Sequence, residues 1–155
     1  MKRDSRLSDT LHILLHMADS GRPDASGPMT SEALALMMRT NPVVVRRTMA
    51  GLREAGLVTS EKGPGGGWTL ARDLSKISLH DVYTALGEPV LVGFGRRADN
   101  PDCRVEKAVH AALEDAVSEA EAVLTRRLRA LRLSDLAAEF SKRLANHPGR
   151  KTHAH

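Results

Sequence analysis

The segment 41–68, Asn-Pro-Val-Val-Val-Arg-Arg-Thr-Met-Ala-Gly-Leu-Arg-Glu-Ala-Gly-Leu-Val-Thr-Ser-Glu-Lys-Gly-Pro-Gly-Gly-Gly-Trp, narrows the choice of fold more than any other part of the chain. Asn41 can act as an N-cap. Pro42 follows at the first helical position, where its fixed φ helps and its missing N–H costs nothing. Val45, Thr48, Met49 and Leu52 then recur at spacings of three and four, and Gly56 can end the helix in a left-handed conformation. The opposite face carries Val43, Arg46, Arg47, Ala50 and Arg53. Directly afterwards come a short apolar run (Leu57, Val58), a turn in which Lys62 precedes Gly63, Pro64 and Gly65, and a second short strand from residue 68 to residue 70. A helix with guanidinium groups near its N-terminal end, followed at once by a hairpin with a basic tip, reads as a winged helix-turn-helix. The helix offers contacts in a major groove and the tip offers a contact beside it.

Each part has a plainer reading: adjacent arginines often mark only a solvated face, and a glycine run is often only a turn. Their order and adjacency favour nucleic acid. A protein-interaction module that reuses a winged helix without binding DNA is the alternative, but such a module has no reason to keep a basic tip. An enzyme is the weakest reading. The sequence shows no nucleophile–base pairing and no paired carboxylates, and its glycine-rich turn leads into a strand rather than a phosphate-binding helix.

Whole-chain properties agree with this. At 155 residues there is room for one domain with an appendage. Aromatic residues make up only 3%, so the core must come from Leu, Val, Ala and Met, which favours helices. A net charge of +4 is compatible with a phosphate partner. A single cysteine excludes an intrachain disulfide framework. No apolar run approaches the roughly 20 residues that span a bilayer, and Met-Lys-Arg-Asp-Ser at the start lacks a signal-peptide core. The expectation is a cytoplasmic protein with no membrane partner.

The remaining chain predicts further helices. Arg6–Ala18 has the period of a first helix, with Leu7, Leu11, Leu14, Leu15 and Ala18 as its buried stripe. His12 and His16 lie one turn apart, a spacing that can bind metal, but no acidic or thiol ligand completes a motif, so no metal site is assigned. Residues 19–28 read as a loop. Thr30 or Ser31 can cap a second helix over residues 32–39, and a tight connection containing Arg39 leads to Asn41, completing the helix-turn-helix. After a connector, Ser78 caps a short helix with Leu79, Val82, Tyr83 and Leu86 inward. Residues 90–102 show no period. From Cys103 to about Leu133, Val105, Val109, Ala112, Ala116, Ala120, Val123, Leu124, Leu128 and Leu131 recur every three or four residues. Such a helix reaches roughly 40 Å and needs something to cover its apolar stripe. A second copy of the chain is the economical cover, and the amphipathic segment 134–144 is the intrachain one. The fold class is therefore mainly α: a winged helix-turn-helix with a long C-terminal dimerisation helix. The expected division is a DNA-binding domain over residues 1–89, a dimerisation region over 90–146 and a disordered tail over 147–155.

The residues 52–60, Leu-Arg-Glu-Ala-Gly-Leu-Val-Thr-Ser, followed by Lys-Gly-Pro-Gly-Gly-Gly-Trp at 62–68, resemble the Rrf2 family of bacterial transcription regulators. So does the order of helices, and the resemblance spans roughly residues 7–131. It implies a homodimer, most often a repressor, whose two heads bind a double-stranded, pseudo-palindromic DNA operator. It also implies that Lys62 stands where many relatives place an arginine that enters the minor groove. The candidate DNA-binding residues are Arg39, Asn41, Val43, Arg46, Arg47, Ala50, Lys62, Gly63, Pro64 and Gly65.

Two departures from the family pattern stand out. Many relatives hold an iron–sulfur cluster through three closely spaced cysteines between the short and the long helix. Here that region offers Cys103 alone, so no cofactor is expected, although Asp9, His12 or His16 of a partner chain could in principle add ligands. The recognition helix also carries Val43-Val44-Val45-Arg46-Arg47 in place of a Ser-Tyr-Leu type sequence, which implies a different operator. Cys103 itself, near a helix start with Arg104 and Lys107 beside it, has the surroundings that favour a thiolate and is the candidate redox-sensing residue. No motif specifies an effector.

Overall fold

The computed structural model describes residues 5–19, 27–94 and 103–146. Its elements are α1 (Arg6–Ala18), α2 (Ser31–Met38), α3 (Pro42–Glu54), β1 (Val58–Glu61), β2 (Gly67–Leu70), a 3-10 turn (Leu74–Lys76), α4 (Leu79–Ala85), α5 (Arg104–Ala130) and α6 (Leu133–Asn146). The helix boundaries follow the local chemistry. Thr30 caps α2 by accepting from the Ala33 amide, and Asn41 caps α3 by accepting from the Val43 amide. Ser78 and Asp81 form a reciprocal capping box at the start of α4. Gly56 takes φ +71° just after α3, as its place beyond the helix end requires.

The core lies among α1–α4, the hairpin and the end of α5. Leu14, Leu34, Met49, Leu52, Leu57, Ile77, Val82 and Leu133 are fully enclosed. The buried stripe of α1 differs from the sequence reading: Thr10, Ile13, Leu14 and Met17 are buried, whereas Leu7 and Leu11 pack only at its margin. The stripe is rotated because α1 is contacted from several directions, by α2, α4, α6 and β2.

The C-terminal part packs in part with the head. Leu128 and Leu133 are core residues. The Leu79 amide donates to the Leu131 carbonyl (3.0 Å), and the Leu133 amide donates to the Ile77 carbonyl (2.9 Å). α6 packs on α1 and the 3-10 turn, not along α5. Residues 128–146 thus belong with the head, and segment 134–144 does not cover the long helix. The regions read as a loop over 19–28 and over 90–102 are described only at their ends, and the expected tail, 147–155, lies outside the described residues.

α5 is 27 residues long, about 40 Å at 1.5 Å per residue. It has two apolar faces, which the sequence pattern merges into one. Leu124, Leu128 and the following Leu131 turn toward the head. Val105 (72% exposed), Val109 (52%) and Val123 (57%) lie on another face with exposed Ala112, Ala116 and Ala120. Among the described residues no helix is long and apolar enough to cross a membrane.

Candidate nucleic-acid interface

The recognition helix is fixed by what it buries. Val45, Met49 and Leu52 of α3 enter the core, as the spacing predicts, and Thr48 is half-buried beside them. That leaves Val43, Val44, Arg46, Arg47 and Arg53 exposed, with Ala50 only partly so. Asn41 is exposed as well, but its side-chain oxygen is committed to the Val43 amide (2.8 Å), so its first duty is to cap the helix.

The turn between α2 and α3 holds Arg39 at φ +51°, a left-handed conformation in a residue with a Cβ. Its amide and that of Thr40 close the end of α2 by donating to the Leu36 and Ala35 carbonyls. Glycine would be relaxed there; an exposed arginine brings a cation to the turn at some conformational cost.

The wing is the antiparallel pair β1–β2, with Ser60 opposite Trp68 and Glu61 opposite Gly67. Its tip exposes Lys62, Gly63, Pro64 and Gly65. The glycines do different jobs. A Cβ on Gly66 would lie 2.3 Å from the Glu61 carbonyl oxygen, and one on Gly67 would lie 2.6 Å from that of Met29, so both are required by the turn itself. Gly63 and Gly65 face open space but take φ +90° and +76°, leaving the outer edge of the tip bare. A backbone without side chains beside a lysine can approach a phosphate or a narrow groove closely.

Four features of this surface are absent from the sequence reading. Met29, in the connection before α2, forms a bridge with Trp68, with amide–carbonyl distances of 3.0 and 2.8 Å. The buried indole Nε1 of Trp68 donates to Ser31 Oγ (2.9 Å), fastening the wing to the start of α2. Arg53 donates to Ser60 Oγ (3.3 Å) and lies over the Trp68 ring, so it braces the hairpin against the helix. The fourth bears on Arg46, whose guanidinium donates to the Glu32 carboxylate of α2. Arg39, Arg46, Arg47 and Lys62 are all exposed, and among the described residues Arg46 alone of the four has an acidic partner.

A helix-turn-helix, a wing locked to it by Trp68, and cations on the helix, turn and tip define a winged-helix DNA-binding protein. Comparison with known proteins makes the class specific. A family model described as "Rrf2: Iron-dependent Transcriptional regulator" matches residues 3–139. The chain belongs to the Rrf2 family; it is a DNA-binding transcription regulator and not an enzyme. YwnA of Bacillus subtilis (strain 168), an HTH-type regulator by name, is 31% identical over 133 residues, covering 86% of this chain and 95% of YwnA. IscR of Escherichia coli O1:K1 is 31% identical over 74 residues, 48% of this chain and 46% of IscR. The solved structure of T. potens IscR superposes with a TM-score of 0.62 at 20% identity, covering 99% of this chain and 94% of that one.

The family description raises the question of iron. The donor set does not suit a thiolate-held cluster: the chain has one cysteine, and the described residues contain no group of three or more His, Cys, Asp or Glu placed to hold a metal. Cys103 is half-exposed at the N-cap of α5, and its side chain makes no capping hydrogen bond. His12 and His16 lie with their Nε2 atoms 2.8 Å apart on α1, sharing a hydrogen bond.

Proposed function

We propose that the chain acts as a homodimeric repressor that binds a pseudo-palindromic operator through two heads held apart by paired α5 helices. The exposed face of Val105, Val109, Ala112, Ala116 and Val123 on a helix that leaves its head carries this reading. An apolar stripe of that length in water favours association, and a two-fold axis presents the same stripe from both chains. The alanines permit close approach of the two helices. Repression follows from occupancy: a dimer seated on its operator blocks access to the same DNA. Such a protein works in the cytoplasm, where the duplex is.

Arg46, with Val43 and Val44 beside it, faces base edges in the major groove. Arg39, Arg47, Lys62 and the bare tip at Gly63, Pro64 and Gly65 supply the backbone contacts. Regulation runs without an iron–sulfur cluster. Cys103, at the N-cap of α5 and so at the end opposite the head-anchored Leu128, is the point at which oxidation or capping of a thiol enters.

Sedimentation at micromolar concentration, with and without a duplex selected from a random pool, tests the assembly; a monomer in both conditions overturns it. Anaerobic purification followed by iron analysis and visible absorbance tests the cofactor assignment. Oxidant should weaken binding by the wild type and leave Cys103→Ser unaffected. An identical response from both proteins removes the thiol from the account.

A further inference from the structure

The Glu32–Arg46 pair works against attraction to DNA, because it engages a cation of the recognition helix. Glu32 is the second residue of α2, whose cap is supplied by Thr30. Its carboxylate shares the reading surface with the cations Arg39, Arg47 and Lys62, each of which would welcome a phosphate. Both side chains of the pair are more than half exposed (Arg46 53%, Glu32 62%), so the ion pair is not enforced by burial and is weak enough to exchange partners.

The consequences of that exchange depend on what the duplex offers. If Arg46 leaves Glu32 for a phosphate, it trades one anion for another and leaves a carboxylate facing a polyanion. Little is gained at an arbitrary sequence. A guanine edge is different, because O6 and N7 accept both guanidinium donors together. The cytosine N4 amino group of the same G·C pair donates in the major groove and can satisfy the released Glu32 carboxylate. Both members of the pair then keep partners only where the correct base pair is present.

We propose that Glu32 is a specificity-determining positioning residue: it withholds Arg46 from arbitrary phosphates and yields it to a G·C edge. The inference rests on the DNA-binding reading and concerns discrimination rather than affinity. Removing the carboxylate should make the protein a stronger and less selective binder.

The test compares wild type, Glu32→Gln, Arg46→Ala and the double variant on two probes, a random-sequence duplex and a duplex selected by the wild type from a random pool. Glu32→Gln should bind the random duplex about two- to fivefold more tightly per head, the range of an exposed ion pair. Its log K against log[salt] slope on that duplex should steepen by about 0.9 per head, because one more cation is free to displace counterions. Affinity for the selected duplex should stay level or fall, so the ratio of the two affinities drops. In the Arg46→Ala background, Glu32→Gln should leave the ratio unchanged. Equal tightening on both duplexes, or a change of ratio that persists without Arg46, overturns the proposal in favour of simple charge repulsion. Wild type that binds neither duplex overturns the DNA reading itself, and this inference with it. Melting curves for Glu32→Gln and Glu32→Asp should match wild type, and Asp, which keeps the charge at shorter reach, should give an intermediate ratio.

Discussion

Helices α3 and α5 both expose more than a solvated helix needs to, but of opposite chemistry. α3 buries Val45, Met49 and Leu52 and turns arginines outward. α5 has more than twice the length, buries only Leu128 and turns valines and alanines outward. The first is anchored and offers charge, which suits an anionic partner that comes and goes with salt. The second is anchored at its C-terminal end and offers apolar surface, which suits a permanent partner. Position in the fold separates what composition cannot: both helices contain a mixture of Ala, Val, Leu and Arg.

The largest effect should come from breaking the apolar side of the comparison. Ala116→Glu places a charge in the middle of the exposed α5 face. In a dimer it would be buried against the mate, at a cost of several kcal/mol. The expected outcome is a monomer by sedimentation, with an unchanged far-UV spectrum and operator binding lost. If α5 faced only water, the same substitution would be silent. A comparable loss inside the head should follow Leu52→Ala, about 2–5 kcal/mol by denaturant titration, because Leu52 is fully enclosed.

The charged side should respond to a different set of changes. Arg46→Ala should cost about 1–3 kcal/mol on the selected duplex and less on random sequence. Lys62→Ala should weaken binding to both, with a shallower salt slope. Equal losses from both substitutions on both duplexes would remove the distinction between reading and holding.

The sequence disclosed the head well because its signals are local. Asn41-Pro42, Ser78 with Asp81, and the glycines of the wing each fix a backbone state within a few residues, and the helices start and stop where these residues stand. It disclosed less of how elements meet. The Met29–Trp68 bridge, the Trp68–Ser31 hydrogen bond and the Glu32–Arg46 pair join residues 14 to 39 positions apart, and no periodicity encodes such pairings. Glu32 was legible only as a favourable charge in a first helical turn. The two faces of α5 merged into one stripe because an apolar count does not tell which valine meets the head. The return of the chain into the head after residue 128 was hidden for the same reason.

The turn between the two reading helices allows stability and binding to be moved in opposite directions. Arg39→Gly relieves a left-handed residue that costs roughly 1–2 kcal/mol, offset by about 0.5–1 kcal/mol of glycine's extra chain entropy. The melting temperature should rise slightly or hold, while duplex affinity falls through loss of one cation per head. A fall in both would mean that the Arg39 side chain also supports the fold.

The smallest effect should appear at α4, which contributes to neither exposed face, and it serves as a control for both. Ser78 Oγ accepts from the Asp81 amide (3.0 Å), and Asp81 Oδ2 accepts from the Ser78 amide (2.8 Å). Partial burial pushes the Asp81 carboxyl upward. The hydrogen bonds from Ser78, together with Arg132 and Arg72, outweigh it and hold the group below its ordinary 3.8. A carboxylate lowered on folding contributes stability that is complete above the unfolded value and is lost as pH falls through the folded one. Asp81→Asn keeps an acceptor but removes the titration, so wild type and variant should differ most near neutral pH and converge below about pH 4. Asp81→Ala should cost about 1 kcal/mol at neutral pH, in the range of a lost cap. Neither change should alter sedimentation or the salt slope on DNA. If either does, α4 couples the head to α5, on which it packs, and the two exposed faces are not independent.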